Sequence, residues 1–257
     1  MKKNYLKIAF IISLILLFGC SEEKLPTPPT QDIELFPSEA GTNYTFNVSF
    51  GLQNPITGIK KSRILPKTNI KSNAGFVLIY QPQLDSIIYQ GNTLVDTTYF
   101  RKTSSGVFYF IDTTGFSQLV PDSLKSFLTI DTESRILFFP LSLNQTWPVY
   151  QVDIKIGGIP VFSPIRTFAK VVDFYKLDFV DRNSKITFNV YKIEYNLEIQ
   201  LSPEGQVERQ TAVAHFANGI GFIKWEGQSS VVNLVKGTTF NYPAEVILEE
   251  LSSYFIP

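Results

Sequence analysis

Residues 185–200 read KITFNVYKIEYNLEIQ, a run in which polar and apolar side chains tend to alternate. Successive side chains of an extended strand point to opposite faces of a sheet. One face would be mostly apolar and would hold Thr187, Asn189, Tyr191, Ile193, Tyr195, Leu197 and Ile199. The other face would hold Ile186, Phe188, Val190, Lys192, Glu194 and Asn196. A strand of this length with one apolar face is typical of a large curved sheet.

Strand patterns also fill most of the chain on both sides of this run. Hairpin turns are predicted at residues 90–92, at Gly157-Gly158 and at Asn218-Gly219, the last being the strongest two-residue hairpin signal. About ten to twelve strands result, without an internal repeat or a βαβ alternation. We therefore predict an all-β fold: a large curved antiparallel sheet or half-barrel with one to three short helices, forming a single domain over residues 38–257.

Three segments are less regular. Apolar residues at helical spacing around Pro121 predict one or two short helices in residues 113–127. Residues 231–235 read VVNLV and are predicted to be a short strand. Residues 243–251 fit a short helix that begins at a proline, and they fit a last strand equally well.

The N-terminus carries the features of a secretion signal. A cationic start with three lysines precedes an apolar run over residues 8–18, too short for the roughly 20 residues that span a bilayer. The residues Leu17-Phe18-Gly19-Cys20 resemble the bacterial lipobox, and Cys20 is the only cysteine of the chain. The resemblance implies cleavage after residue 19 and lipidation of Cys20; the alternative is an ordinary secretion signal with an incidental cysteine.

The segment after Cys20 is polar and rich in proline. It predicts an extended tether over residues 20–37 that holds the domain away from the bilayer. Ser21, Glu22 and Glu23 resemble the signals that send lipoproteins to the outer membrane. We expect a cell-envelope protein that is lipid-anchored to the outer membrane and faces the periplasm or the cell surface.

Composition excludes some classes of partner. The chain has 23 basic and 23 acidic residues. The predicted signal peptide holds three of the lysines and no acid, which leaves the remainder slightly acidic. Nucleic-acid binding requires clustered lysine and arginine, so we expect no nucleic-acid partner. The 22 phenylalanines and 12 tyrosines suit a β-sheet core.

Two stretches resemble a group of uncharacterised lipoproteins from Bacteroidetes and Chlorobi-like bacteria. Residues 140–147, PLSLNQTW, resemble a segment of that group that ends in Gly-x-x-Trp, with Asn144 where a turn glycine is usual. Residues 215–224, HFANGIGFIK, resemble the group's hairpin Tyr-Tyr-Ala-x-Gly-Val-Gly-Leu-Val-Lys. The Val-Pro-Ala-Gly-Thr-Phe element that opens the group's long strand is missing here. The resemblance implies a convoluted antiparallel sheet, somewhat similar to the half-barrel of outer-membrane lipoprotein carriers.

Residues that could carry out chemistry are few. His215 is the only histidine, so no multi-histidine metal site can form; it is either a lone acid/base or a strand histidine with a local hydrogen bond. Two groups of acids are expected to be solvated: Asp173, Asp178 and Asp181, and Glu245, Glu249 and Glu250. We find no catalytic, metal or cofactor motif, and we expect no enzymatic activity.

The sequence favours two functions, ahead of an enzyme such as a two-carboxylate glycosidase. The first is a non-catalytic scaffold that binds an unknown envelope protein, and an exposed apolar patch would support it. The second is a half-barrel that carries or binds a lipid or another apolar ligand, and a continuous apolar cavity would support it.

Overall fold

The computed structural model describes residues 36–71, 77–113, 125–181 and 184–257. In these residues it contains fourteen strands and one helix, named here in chain order. The strands are β1 Asn43–Phe50, β2 Ile56–Ile64, β3 Thr68–Lys71, β4 Val77–Tyr89, β5 Asn92–Thr103, β6 Gly106–Phe110, β7 Leu128–Ile130, β8 Glu133–Phe138, β9 Thr146–Ile156, β10 Ile159–Asp181, β11 Ser184–Ile199, β12 Glu208–Ala217, β13 Gly221–Gln228 and β14 Val246–Phe255, and the helix is α1 Ser229–Lys236.

The strands form one antiparallel sheet in the order β7-β9-β10-β11-β12-β13-β14-β1-β2-β4-β5-β6-β8, and β3 pairs with β4. The sheet is curved and open, with β7 and β8 at its ends. Trp147 Nε1 of β9 donates to Arg135 O of β8 at 3.0 Å, and Tyr195 of β11 donates to Ile136 O of β8 at 2.7 Å. Strands distant in the sheet order therefore meet through side chains. The predicted all-β fold is confirmed.

The concave side of the sheet holds the core. On β11, Ile193, Tyr195 and Leu197 are buried, as the alternation of residues 185–200 predicts. Lys192 and Glu194 lie on the opposite face, but Val190 of that face is buried as well, which the alternation did not predict. Phe46, Phe216 and Trp225 belong to the same core, as do other residues from most of the strands. The predicted turns at Gly91 and Gly157-Gly158 connect strands as expected, with these glycines at positive φ.

Residues 231–235 differ from their prediction. They lie in α1, where Val231, Val232 and Val235 are buried, so the predicted short strand is wrong. Branched side chains favoured the strand in the sequence, but burial of one helical face outweighs that preference. Gly237 ends the helix with a left-handed φ of 61°, and a Cβ there would lie 2.4 Å from Phe110 O.

The remaining predictions can be placed in the same way. Residues 246–255 form β14, so the strand alternative holds for the end of the chain. The short helices predicted in residues 113–127 lie mostly in 114–124, outside the described residues. Asn144 has a φ of 64°, so it takes the left-handed conformation that glycine adopts most easily. Within the described residues, no helix has both the length and the apolar character that crossing a bilayer requires.

Candidate functional site

Four charged side chains are buried together on the concave side, and we call them the charge cluster: Lys60, Asp85, Lys236 and Glu249. Lys60 Nζ lies 2.9 Å and 3.7 Å from carboxylate oxygens of Glu249 and Asp85, and Lys236 Nζ lies 3.2 Å from Glu249. Strands β2, β4 and β14 position three of these residues, because each faces the same side as its core neighbours. The expectation that Glu249 is solvated was wrong: only 1% of it is exposed.

The cluster is electrically balanced, with two ammonium groups and two carboxylates. Burial by itself would raise the pKa of Glu249, but Lys236 and Lys60 outweigh that effect and lower the pKa to about 2. Burial also lowers the pKa of Lys236 to about 8, against the opposing effect of Glu249. Charges taken out of water require such partners, because the penalty for burying one alone is large.

Polar side chains extend the charge cluster to one side. Gln83 Nε2 donates to both carboxylate oxygens of Asp85, at 3.0 Å and 3.2 Å. Tyr109 donates to Gln83 Oε1 at 3.2 Å. Beside these residues the concave side leaves a space of about 30 Å³, close to the volume of one water molecule. Near α1 the same side holds a second, apolar space of about 310 Å³, with Tyr150, Val152, Leu197 and Leu234 in its lining.

A larger space opens on the other face of β12. We call it the outer groove; its volume is about 370 Å³, and it is lined mainly by Tyr175, Leu177, Phe188, His215, Ile220 and Ile223. His215 faces this groove because its strand neighbours Ala214 and Phe216 face the core. The pairing of β12 with β13 shifts register between His215 and Phe216, which leaves Ile223 as the extra residue beside the groove.

The single histidine is held by a local hydrogen bond. His215 Nδ1 lies 2.6 Å from the Tyr175 hydroxyl, and its Nε2 lies 3.9 Å from Glu226. Burial lowers the pKa of His215, although Glu226 acts to raise it. Lys224 pairs with Glu226 at 3.0 Å and with Glu250 at 3.5 Å. This is the strand histidine with a local hydrogen bond, the second of the two interpretations left open by the sequence.

The other acids selected from the sequence are spread apart. Asp173, Asp178, Glu245 and Glu250 are exposed. The side chain of Asp181 lies outside the described residues, as does Cys20, the predicted lipidation site. In the part of the chain that the structure describes, no three histidine, cysteine or acidic side chains are grouped to hold a metal ion.

A set of apolar side chains is exposed on the convex side of β2, β4 and β5. We call it the apolar ladder, and its exposed fractions are 48%, 37%, 49% and 64% for Ile59, Leu84, Ile88 and Val95. Ile59 pairs directly with Ile88. Val95 lies opposite Ser86, between Leu84 and Ile88, so it is a diagonal neighbour of both. Sequence reasoning missed this surface; the spacing of Leu84 and Ile88, four residues apart on one strand, is a signal that could have shown that they share a face.

Comparisons with known proteins give little beyond this geometry. No protein-family profile and no curated protein match the chain. It is similar to a solved structure of a proposed exported protein with a YmcC-like fold from Bacteroides fragilis NCTC 9343, with 14% identity, a TM-score of 0.45, and coverage of 86% of this chain and 98% of that one. It is also similar to a proposed lipoprotein from Parabacteroides distasonis ATCC 8503, with 12% identity, a TM-score of 0.41, and coverage of 88% and 100%. Because both TM-scores are below 0.5, neither similarity bears on what this chain does.

Proposed function

We propose that this chain is a lipoprotein of the bacterial cell envelope, anchored through Cys20 to the outer membrane, that binds a partner protein and catalyses no reaction. The signal features of residues 1–19 and the lipobox-like residues 17–20 support the location. Two or more acyl chains on Cys20 would hold the domain at a membrane stably, whereas a single chain would not.

The apolar ladder is the observation that carries the partner-binding role. Ile59 and Ile88 lie opposite each other, and Val95 is the diagonal neighbour of Ile88 and Leu84. Polar residues such as Ser86 and Thr93 lie among them. Isolated exposed apolar side chains are ordinary, but contiguous ones mark interaction surfaces. The rigid sheet beneath the ladder would add little ordering cost on binding.

The half-barrel carrier of an apolar ligand is the second candidate function. An apolar ligand of ordinary size needs a pocket of roughly 300 Å³ or more. The concave side leaves about 30 Å³ beside the charge cluster and about 310 Å³ near α1. The larger space is at the lower end of that range, so we base the proposal on the apolar ladder and keep the carrier as the second candidate.

Site-specific photo-crosslinking tests the proposal. A photoreactive amino acid at Val95 should give a discrete covalent adduct with one envelope protein in the cells that make this chain. The matched control is Leu201, which is 89% exposed but lies outside the strands and so is not part of the apolar ladder. Val95→Asp should weaken capture of the same protein at least tenfold, whereas Leu201→Asp should leave it unchanged. Equal or absent adducts from the two positions would contradict the proposal.

A further inference from the structure

Phe36 closes the concave side from a segment that forms no strand. It is only 5% exposed, although it lies seven residues before β1 and within the range predicted as tether. Its ring packs against Phe100, Phe216 and Phe222, with ring centroids 5.5 Å, 6.4 Å and 6.2 Å away. The predicted tether would therefore end before Phe36, whose side chain already belongs to the core.

Two of the residues that line the small space beside Phe36 have a buried polar atom without a partner among the described residues. Phe36, Ser62, Trp225 and Lys236 all line it. In the described part of the protein, Ser62 Oγ and Trp225 Nε1 have no hydrogen-bond partner, while Ser62 is 3% exposed and Trp225 is 1% exposed. Buried polar atoms are nearly always paired, so two orphans on one space indicate a missing partner. Since indole N–H is only a donor and hydroxyl can donate, the missing group is an acceptor.

We propose that Phe36 is a displaceable plug over an internal binding site, and that the site takes an aromatic carboxylate. The ring of the ligand would replace the Phe36 ring among the three phenylalanines. Its carboxylate would accept hydrogen bonds from Trp225 Nε1 and Ser62 Oγ, beside the Lys236 ammonium. Removal of the plug joins the volume of a phenyl group to the existing space, enough for a one-ring acid.

The attachment of Phe36 is suited to displacement. Its carbonyl oxygen accepts a hydrogen bond from Lys102 Nζ at 3.0 Å, which is a side-chain contact at the surface end of β5. Regular pairing of the backbone begins only near residue 41, where Gly41 N donates to Ile64 O. The ring can therefore leave without breaking a strand. A ligand site that is open for only a fraction of the time binds with correspondingly reduced affinity.

The first test is calorimetric titration of the full chain with 3-phenylpropionate. A second titration then measures the fluorescence of the tryptophans of the chain. Phe36→Ala should bind at least tenfold more tightly than the wild type, because the competing ring is gone. The control Phe255→Ala removes a ring that is 60% exposed on β14, and it should bind as the wild type does. Adding Ser62→Ala or Trp225→Phe to Phe36→Ala should weaken binding several-fold.

Two comparisons separate a built site from a simple void. The neutral 3-phenylpropionamide should bind Phe36→Ala at least tenfold more weakly than the acid. Equal binding of the acid, the amide and benzene would overturn the proposal, since any truncated core accepts apolar molecules.

If Phe36→Ala does not fold, hydrogen exchange in the wild type replaces the variant as the test. The acid should speed exchange in residues 36–40 and leave exchange in β12 unchanged. No change in residues 36–40 would also overturn the proposal. This inference is independent of the apolar ladder, so the crosslinking result does not decide it.

Discussion

The inner and outer faces of β12, β13 and β14 differ in burial, although their residues are neighbours in the sequence. Glu249 faces inward, is buried and binds two lysines, whereas Glu250 faces outward and is exposed. Phe216 packs in the core while His215, one residue earlier, lines the outer groove. The inner face accepts charge only where every charge has a close partner, and the outer face leaves a groove of about 370 Å³ open to solvent. Strand alternation assigns neighbouring residues to the two faces, although Val190 and Ala217 on the groove side are buried too.

The largest expected effect is on the inner face. Lys60→Met removes the ammonium group that lies 2.9 Å from Glu249 and 3.7 Å from Asp85. Two carboxylates would then have one remaining cation, so the free energy of unfolding should fall by about 3–5 kcal/mol. Urea denaturation measures this change. Lys61→Met, on the exposed face of the same strand, is the control and should change stability by less than about 0.5 kcal/mol. Similar losses for both variants would show that the cluster is not closed to solvent.

A smaller effect should appear with acid. The pKa of Glu249 is about 2 in the folded protein, below its ordinary value of 4.5, so the unfolded chain binds more protons between these two pH values. The stability that this carboxylate contributes is present above pH 4.5 and is lost as the pH falls to about 2, in total about 3 kcal/mol. Urea denaturation at several pH values measures it. Glu249→Gln should lose this pH dependence, while Glu250→Gln should keep it. An identical acid dependence in both variants would contradict the assignment.

The smallest effect should be on the outer face. Because burial lowers the pKa of His215, its NMR titration should fall below the ordinary value of 6.5. Glu226→Gln should lower this pKa further, since Glu226 favours the protonated ring. Glu204→Gln, at an exposed turn, is the control and should leave the titration unchanged. The assignment is unambiguous because the chain has one histidine. A higher pKa of His215 in the Glu226→Gln variant would contradict the described geometry.

Local patterns predicted much of this fold. Alternation assigned the buried face of β11, and paired glycines located the β9–β10 turn. Both signals come from neighbouring residues, where the physical cause is local. The strand predicted for residues 231–235 failed because branched side chains also fit a buried helix, and the choice depends on what packs against them.

The candidate sites were harder to predict, because they depend on contacts between distant residues. Glu249 and Glu250 are adjacent in the sequence, and the buried one differs by its partners Lys60, 189 residues away, and Lys236. Phe36 follows a proline-rich tether and carries no pattern that assigns it to the core. The apolar ladder joins three strands, so no single stretch of sequence reveals it.

The open sheet also has a consequence for self-association. A strand at the end of a sheet has unpaired backbone groups that can pair with another chain, which leads to aggregation. Here β7 has only three residues. Directly after it, the carboxylate of Asp131 accepts a hydrogen bond from Gln151 N on the neighbouring strand β9. At the other end, the indole of Trp147 and the hydroxyl of Tyr195 occupy two carbonyl groups of β8. These side chains cover part of the backbone that a barrel would cover by closure. By contrast, residues 173–181 of β10 pair with β11 on one side only, so in the described residues this segment is the edge that a second copy could extend.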